Sequence, residues 1–190
     1  MTKFTNEQIK KLVEKYPYIK PVNVWTNETP EDYDYSYYVG DSVELPAGWT
    51  RLFLLMCKNI KPHAEKLGSD FYFTQVKEKY GMLCAYTSVT SEKLSHDILM
   101  YEHFSSYVCM RCGKEARYET TGWIENLCTD CIQSDALSFS NKIYRQSYTT
   151  VDRFNSSGVC RIRYSFRPIR TEYNHVKNMT DQEFFEYLMA

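Results

Sequence analysis

The chain has 190 residues, of which 25% are charged, and a formal net charge of −1. That length buries a core without disulfide staples, and the balanced charge excludes a global pull toward nucleic acid or membrane surfaces. The opening MTKFTNEQIKKLVEKY has no apolar h-region and no apolar run reaches bilayer-spanning length, so a cytoplasmic protein with reduced cysteines and no membrane partner is expected.

Thr5 and Gln8 form a capping-box pattern, and Ile9, Leu12 and Val13 share a helical face. This first helix is expected to stop before Pro17. VNVW, residues 22–25, reads as a short strand. Residues 28–44 then carry Glu28, Glu31, Asp32, Asp34, Asp41 and Glu44 with no lysine or arginine, and their tyrosines alternate in the manner of a strand with an acidic rim. The 17 tyrosines of the chain fit either recognition surfaces or a plain compositional bias.

GWTRLFLLMCKNIKPHAEKLG predicts a long helix, with Leu52, Leu55, Met56, Ile60 and Leu67 at helical spacing and Gly68 at its stop. Pro62 is expected to bend or split it. DFYFTQVKEKYGMLCAYTSV reads as a β-hairpin turning at Lys79–Gly81, with Tyr80 and Gly81 as turn residues. Its first strand is expected to set Phe71, Phe73, Gln75 and Lys77 on one face and Tyr72, Thr74, Val76 and Glu78 on the other. The charges of QVKEK read as a solvated hairpin edge rather than a catalytic Lys–Glu pair. A further helix is expected from Ser91 to Ser106, with Leu94, Ile98, Tyr101 and Phe104 inward.

Cys109 and Cys112 form one C-x-x-C pair, Cys128 and Cys131 another, with fifteen residues between. A C-x-x-C turn aims two sulfurs at one ion, and Gly113 supplies the backbone freedom needed just past the first pair. Two such knuckles give four thiolates in a tetrahedron, the donor set that suits one structural zinc. A closed sulfur shell leaves no position for water, which argues against a catalytic ion. The intervening residues have the length of a small hairpin, and CTDCIQSDALSF reads as a helix whose first turn carries the second pair, a treble-clef-like arrangement. Trp123 is expected to pack over the site.

Three stretches, LPAGWTRLFLLMC, QVKEKYGMLCAYT and CMRCG…GWIENLCTDC, resemble in order and spacing an uncharacterised group of phage and prophage proteins. The resemblance spans about residues 45–131. It implies a zinc-finger-bearing intracellular accessory protein of viral origin and no established activity. The sequence departs from the group at Cys84 and Ala85, where a basic and an aromatic residue are expected, so a role for a basic group at position 84 is not carried over.

KIYRQSYTTV and VCRIRYSFRP read as two strands around DRFNSSG. Cys160, Ile162, Tyr164 and Phe166 are expected on one face of the second strand, and Arg161, Arg163, Ser165 and Arg167 on the other. With Lys142, Arg145, Arg153 and Arg170, the segment has seven cations against Asp152 alone. Arg145, Arg161, Arg163 and Arg167, with Tyr144 and Tyr164, are candidates for holding phosphates and stacking on bases. The alternative is internal pairing with the acidic 28–44 stretch. TDQEFFEYLMA predicts a final helix with a Thr180–Glu183 capping box and Phe184, Phe185 and Leu188 inward.

His96 and His103 share a helix face, where a surface or packing role is favoured over a second metal site; Cys57, Cys84 and Cys160 read as small buried residues. No Gly-rich phosphate loop, nucleophile elbow or acid pair is present, so an enzyme is the less favoured reading. The expected fold is α+β: antiparallel hairpins packed with helices, in regions 1–106 and 141–190, with a treble-clef-like zinc finger at 107–140. The expected function is that of an accessory protein-binding module acting on a host or phage protein, one that blocks or adapts a host defence system. A nucleic-acid binder and a binder of a small anionic ligand such as a nucleotide are the alternatives.

Overall fold

The computed structural model describes residues 3–20, 26, 28, 45–133, 139–140, 150–154 and 161–190, with the backbone alone for 139–140, 150–154 and 161–164. The expected strand at 22–25, the acidic strand within 28–44, and Tyr144, Arg145 and Cys160 lie outside these residues.

The fold is α+β and is built around one helix. In α2 (Thr50–Leu67), Leu52, Phe53, Leu54, Leu55, Met56 and Cys57 are all fully buried. Six consecutive buried residues cover every side of a helix, so this one must be enclosed rather than laid on a surface. It packs against α3 (Glu92–Ser105), α5 (Arg167–Val176) and α6 (Asp181–Met189). Pro62 does not split α2, which runs unbroken to Leu67 and ends at Gly68, whose φ is +65°.

Helix α1 (Asn6–Lys15) starts at the Thr5–Gln8 capping box, buries Ile9, Leu12 and Val13, and lies along α6. The Tyr16 hydroxyl donates to the Leu188 carbonyl at 2.5 Å, and Gln8 Nε2 donates to Gln182 Oε1 at 3.0 Å. Helix α6 begins at the expected Thr180–Glu183 capping box and buries Phe184 and Leu188. Arg51 ties these parts together. Its guanidinium donates to the carbonyls of Val176 (2.6 Å) and Met179 (2.8 Å) and pairs with Asp181 (2.7 Å). The Val176 carbonyl at the end of α5, which also accepts from Met179 N at 3.2 Å, thereby gains a charged donor that favours the negative end of the helix dipole.

Strands β1 (Phe73–Lys79) and β2 (Met82–Thr87) form an antiparallel hairpin against α3. Its two-residue turn has Tyr80 at φ +53° and Gly81 at φ +74°, the paired left-handed conformation whose twist suits a tight hairpin. The strict alternation expected along β1 is broken. Phe73 pairs with Thr87 and Gln75 with Tyr86, so β1 carries one extra residue there. This bulge puts Phe73 and Val76, of opposite parity, on the same buried face. Beyond it, Gln75, Lys77 and Lys79 face outward with Cys84 and Tyr86.

Helix α3 starts at Ser91, whose hydroxyl accepts from Leu94 N, and buries Leu94, Ile98, Tyr101 and Phe104 as expected. Of the cysteines read as buried, Cys57 is fully so, while Cys84 is half-buried. The finger follows, with β3 (Tyr118–Thr120), β4 (Asn126–Leu127) and α4 (Thr129–Gln133). The helix expected through Phe139 does not extend that far: Phe139–Ser140 form β5, which pairs with β3 and makes it the centre of a three-stranded sheet.

Strands β6 (Thr150–Phe154) and β7 (Arg161–Ser165) form the last hairpin, in register from Thr150–Ser165 to Phe154–Arg161. Phe166 leaves β7 and enters the core beside Phe104 and Tyr107. Helix α5 then begins at Arg167 with Pro168 in its first turn, where the missing N–H costs nothing. Arg167 is therefore an exposed helix-start residue, not part of the strand's arginine face. Arg170 lies with its guanidinium 5.4 Å from the Tyr107 ring centroid and 5.9 Å from that of Phe104, packed on the core.

Candidate metal centre and the hairpin tips

The first knuckle is built by backbone geometry. Gly113 N donates to the Cys109 carbonyl at 2.9 Å, closing a turn in which Gly113 has φ +77°. Cys109 N donates to the Lys114 carbonyl at 2.7 Å, and Met110 N to the Asn126 carbonyl at 2.9 Å. The latter bond joins the knuckle to β4, which delivers Cys128 to the same place. Helix α4 then turns Cys131 inward, beginning with Ile132 N donating to the Cys128 carbonyl at 3.0 Å.

These elements bring Cys109, Cys112, Cys128 and Cys131 together, with all four sulfurs within 4.8 Å of one another. The Cys112 and Cys128 sulfurs are 3.5 Å apart. Four thiolates at the zinc–sulfur bond length around a tetrahedral ion stand about 3.8 Å apart, so the cluster fits a metal ion of that size and donor preference. Crowding four sulfurs also divides their acidities. Burial pushes the Cys131 thiol well up and the Cys112 thiol up to about 11. For Cys128 burial works upward too, but hydrogen bonds from the Cys131 backbone and from neighbouring thiols outweigh it and lower its pKa. A bound divalent cation removes this conflict by favouring the thiolate at every position. No other cluster of at least three histidine, cysteine or acidic side chains with this geometry occurs among the described residues, and His96 instead sits with Nδ1 3.1 Å from Asp97 Oδ1.

The cluster is sewn into the core rather than appended to it. Gly48 N donates to the Met110 carbonyl at 2.8 Å, and Trp49 Nε1 donates to the Val108 carbonyl at 2.9 Å. From the other side, the Tyr173 hydroxyl donates to the Gly113 carbonyl at 2.8 Å. The Gly-Trp start of α2 and the first knuckle are thus one packed unit. The surrounding ion pairs, Arg111–Glu125 at 2.7 Å and Lys114–Asp130 at 2.6 Å, sit at its rim.

Compared with known protein families, curated proteins and solved structures, the chain gives no match. Its own geometry therefore carries the functional argument. No helix among the described residues is long and apolar enough to cross a membrane.

The finger's hairpin meets the β1–β2 hairpin tip to tip. Buried Asn126 donates through Nδ2 to the Gly81 carbonyl, and a Cβ on Gly81 would stand 2.5 Å from Ile124 Cγ2. Trp123 does not pack over the cysteines. It projects from the finger's turn and is 78% exposed, while Tyr80 at the neighbouring tip is 76% exposed. Between the tips lies a cleft of about 440 Å³ lined by Lys77, Glu78, Lys79, Tyr80, Trp123 and Ile124, with Gly122 at its edge. Sequence reasoning missed this site, because it treated Tyr80 as a turn residue and Trp123 as packing. The usable signal was an aromatic residue at each of two adjacent turns.

Of the proposed anion-binding residues, Arg161, Arg163 and Tyr164 lie in β7, where the backbone alone is described. Their register places Arg161 and Arg163 on one face of β7, opposite Phe154 and Asp152, and Tyr164 on the other.

Proposed function

We propose that this protein is a phage-type accessory protein of the host cytoplasm, a protein-binding module whose finger closes around one structural zinc. The viral setting rests on the resemblance of residues 45–131 to phage and prophage proteins. Zinc is supported by the all-sulfur donor set and its spacing, and a structural role by the absence of any open coordination position in a four-thiolate shell.

The observation that carries the binding role is the exposure of Tyr80 and Trp123 at adjoining tips. Large aromatic side chains left in water beside a cleft are unfavourable for an isolated chain and are the residue types that dominate binding hot spots. Both stand on turns fixed to a rigid frame, one by the hairpin register and the other by the finger, so little ordering remains to oppose association.

The test is native mass spectrometry of the tagged chain, purified from the host without chelator. The expected result is the chain with one zinc and a protein partner in fixed stoichiometry, the partner being lost in Tyr80→Ala/Trp123→Ala while zinc is kept. Retention of a nucleotide or nucleic acid in place of a protein overturns the reading and moves attention to the arginines of β7.

A further inference from the structure

We infer that the cleft between Tyr80 and Trp123 takes an acidic peptide segment anchored by an apolar side chain, an inference that rests on the protein-binding reading above. Two features of the cleft point to that chemistry. Its walls are apolar, formed by Tyr80, Trp123 and Ile124. Its rim is cationic. Lys77 and Lys79 are two residues apart on β1 and so project from the same face, each with its ammonium over an aromatic ring: Lys77 is 5.6 Å from the Tyr86 centroid, and Lys79 is 5.7 Å from that of Tyr80.

The one carboxylate lining the cleft does not cancel this charge at the rim. Glu78 Oε1 accepts from Gly81 N at 2.6 Å, which ties this single carboxylate to the hairpin's turn and leaves the two lysines outnumbering it, so the rim stays net positive. An incoming carboxylate therefore meets two ammonium groups held over ring faces. A peptide with an apolar side chain between acidic residues satisfies wall and rim together, and its extended backbone matches the spacing of the lysines along the strand.

A nucleic acid satisfies the same elements less well. Two ammonium groups neutralise about two phosphates, against the roughly six to ten contacts whose counterion release drives tight binding. A concave apolar wall also favours a side chain inserted into it over a base stacked on a flat platform.

The test selects a random linear peptide library on the zinc-loaded full chain, then measures Kd for an enriched peptide by fluorescence anisotropy. Enrichment of sequences with an aliphatic or aromatic residue flanked by Asp or Glu is expected. Trp123→Ala should weaken binding by about thirtyfold or more, as for a central hot-spot aromatic. Lys77→Ala/Lys79→Ala should weaken it by about tenfold at low salt, with the loss shrinking as salt is raised. All of these side chains lie at the surface, and thermal melts of the variants at the parent's temperature establish that the frame is intact.

Enriched peptides that are uncharged or basic, yet still lost in Trp123→Ala, overturn the acidic occupant and leave the protein-binding reading standing. No enriched peptide, together with salt-sensitive binding of oligothymidylate that Trp123→Ala abolishes, overturns both.

Discussion

Gly48 and Cys109 meet backbone to backbone: a Cβ built on Gly48 would lie 2.1 Å from the Cys109 carbonyl oxygen and 2.7 Å from the Met110 carbonyl carbon. The obstacle is main chain on both sides, so no rotamer change relieves it. Gly48→Ala must push the start of α2 away from the first knuckle, stretching the 2.8 Å bond from Gly48 N to the Met110 carbonyl and loosening fully buried Trp49. The expected loss is about 2 kcal/mol or more, at the upper end for overpacking, because a cavity-free contact and a hydrogen bond fail together. Urea denaturation at saturating zinc measures it, and a midpoint equal to the parent's would refute the argument.

The same coupling would make an ion held by the four cysteines a determinant of the core's stability as well as the finger's. The knuckle's carbonyls receive hydrogen bonds from Trp49 and Tyr173, both buried residues of the main core. Chelation of the ion should therefore lower the melting temperature of the core as well as unfold the finger, since structural metal binding is folding free energy. Cys128→Ser should lower the melting temperature by about 5 °C or more. Calorimetry with and without chelator checks both, and a core transition indifferent to chelator would show that the finger is an independent appendage.

Asn126 is the hinge pin between the two hairpins. It is 2% exposed and donates to the carbonyl of Gly81, itself a buried residue packed close to Ile124. Asn126→Ala leaves that carbonyl without its donor, and an unsatisfied buried acceptor costs about 1–3 kcal/mol. The effect should be local, because β1 and β2 retain their own ladder. Hydrogen exchange is expected to accelerate at Tyr80 and Gly81 and in β4 while α2 keeps its protection. Uniform loss of protection would mean that Asn126 serves the global fold rather than the junction.

Much of this architecture was legible because short-range rules decide it. Both capping boxes, the turn at Tyr80–Gly81, the four cysteines and the inward face of α3 depend on neighbours within a few residues. What was missed depends on distant parts of the chain. The bulge in β1 arises because Phe73 and Val76 must both face the same core, which no period-two pattern expresses. Helix α5 was overlooked because Arg167 and Arg170 extend the arginine run of β7 and so masked the helical spacing of Ile169, Tyr173 and Val176. Trp123 was misplaced because a tryptophan near cysteines invites packing, whereas the finger's hairpin carries it past the cluster to meet the other tip. The proline in α2 was overrated as a breaker, since a helix enclosed on all sides is held together by tertiary contacts on either side of the missing hydrogen bond.

The pH dependence of folding should show the mark of Glu102. This α3 side chain is drawn under the β1–β2 hairpin, where its Oε1 accepts from Ala85 N at 2.7 Å. Burial raises its pKa above the ordinary carboxylate value, and the hydrogen bond from Ala85 only partly offsets that. The folded state then holds this proton to higher pH than the unfolded state does. The contribution to stability is accordingly most favourable below the unfolded carboxylate pKa and declines as pH rises through the raised folded value. Glu102→Gln keeps an oxygen to accept from Ala85 N and removes the charge that burial opposes. The variant should be at least as stable as the parent at neutral pH, with its advantage shrinking as the pH is lowered toward the ordinary carboxylate range. Urea midpoints for both proteins across that range decide the matter. A variant less stable than the parent at neutral pH, and no closer to it at acidic pH, would mean that the carboxylate is held by a favourable partner and not merely tolerated.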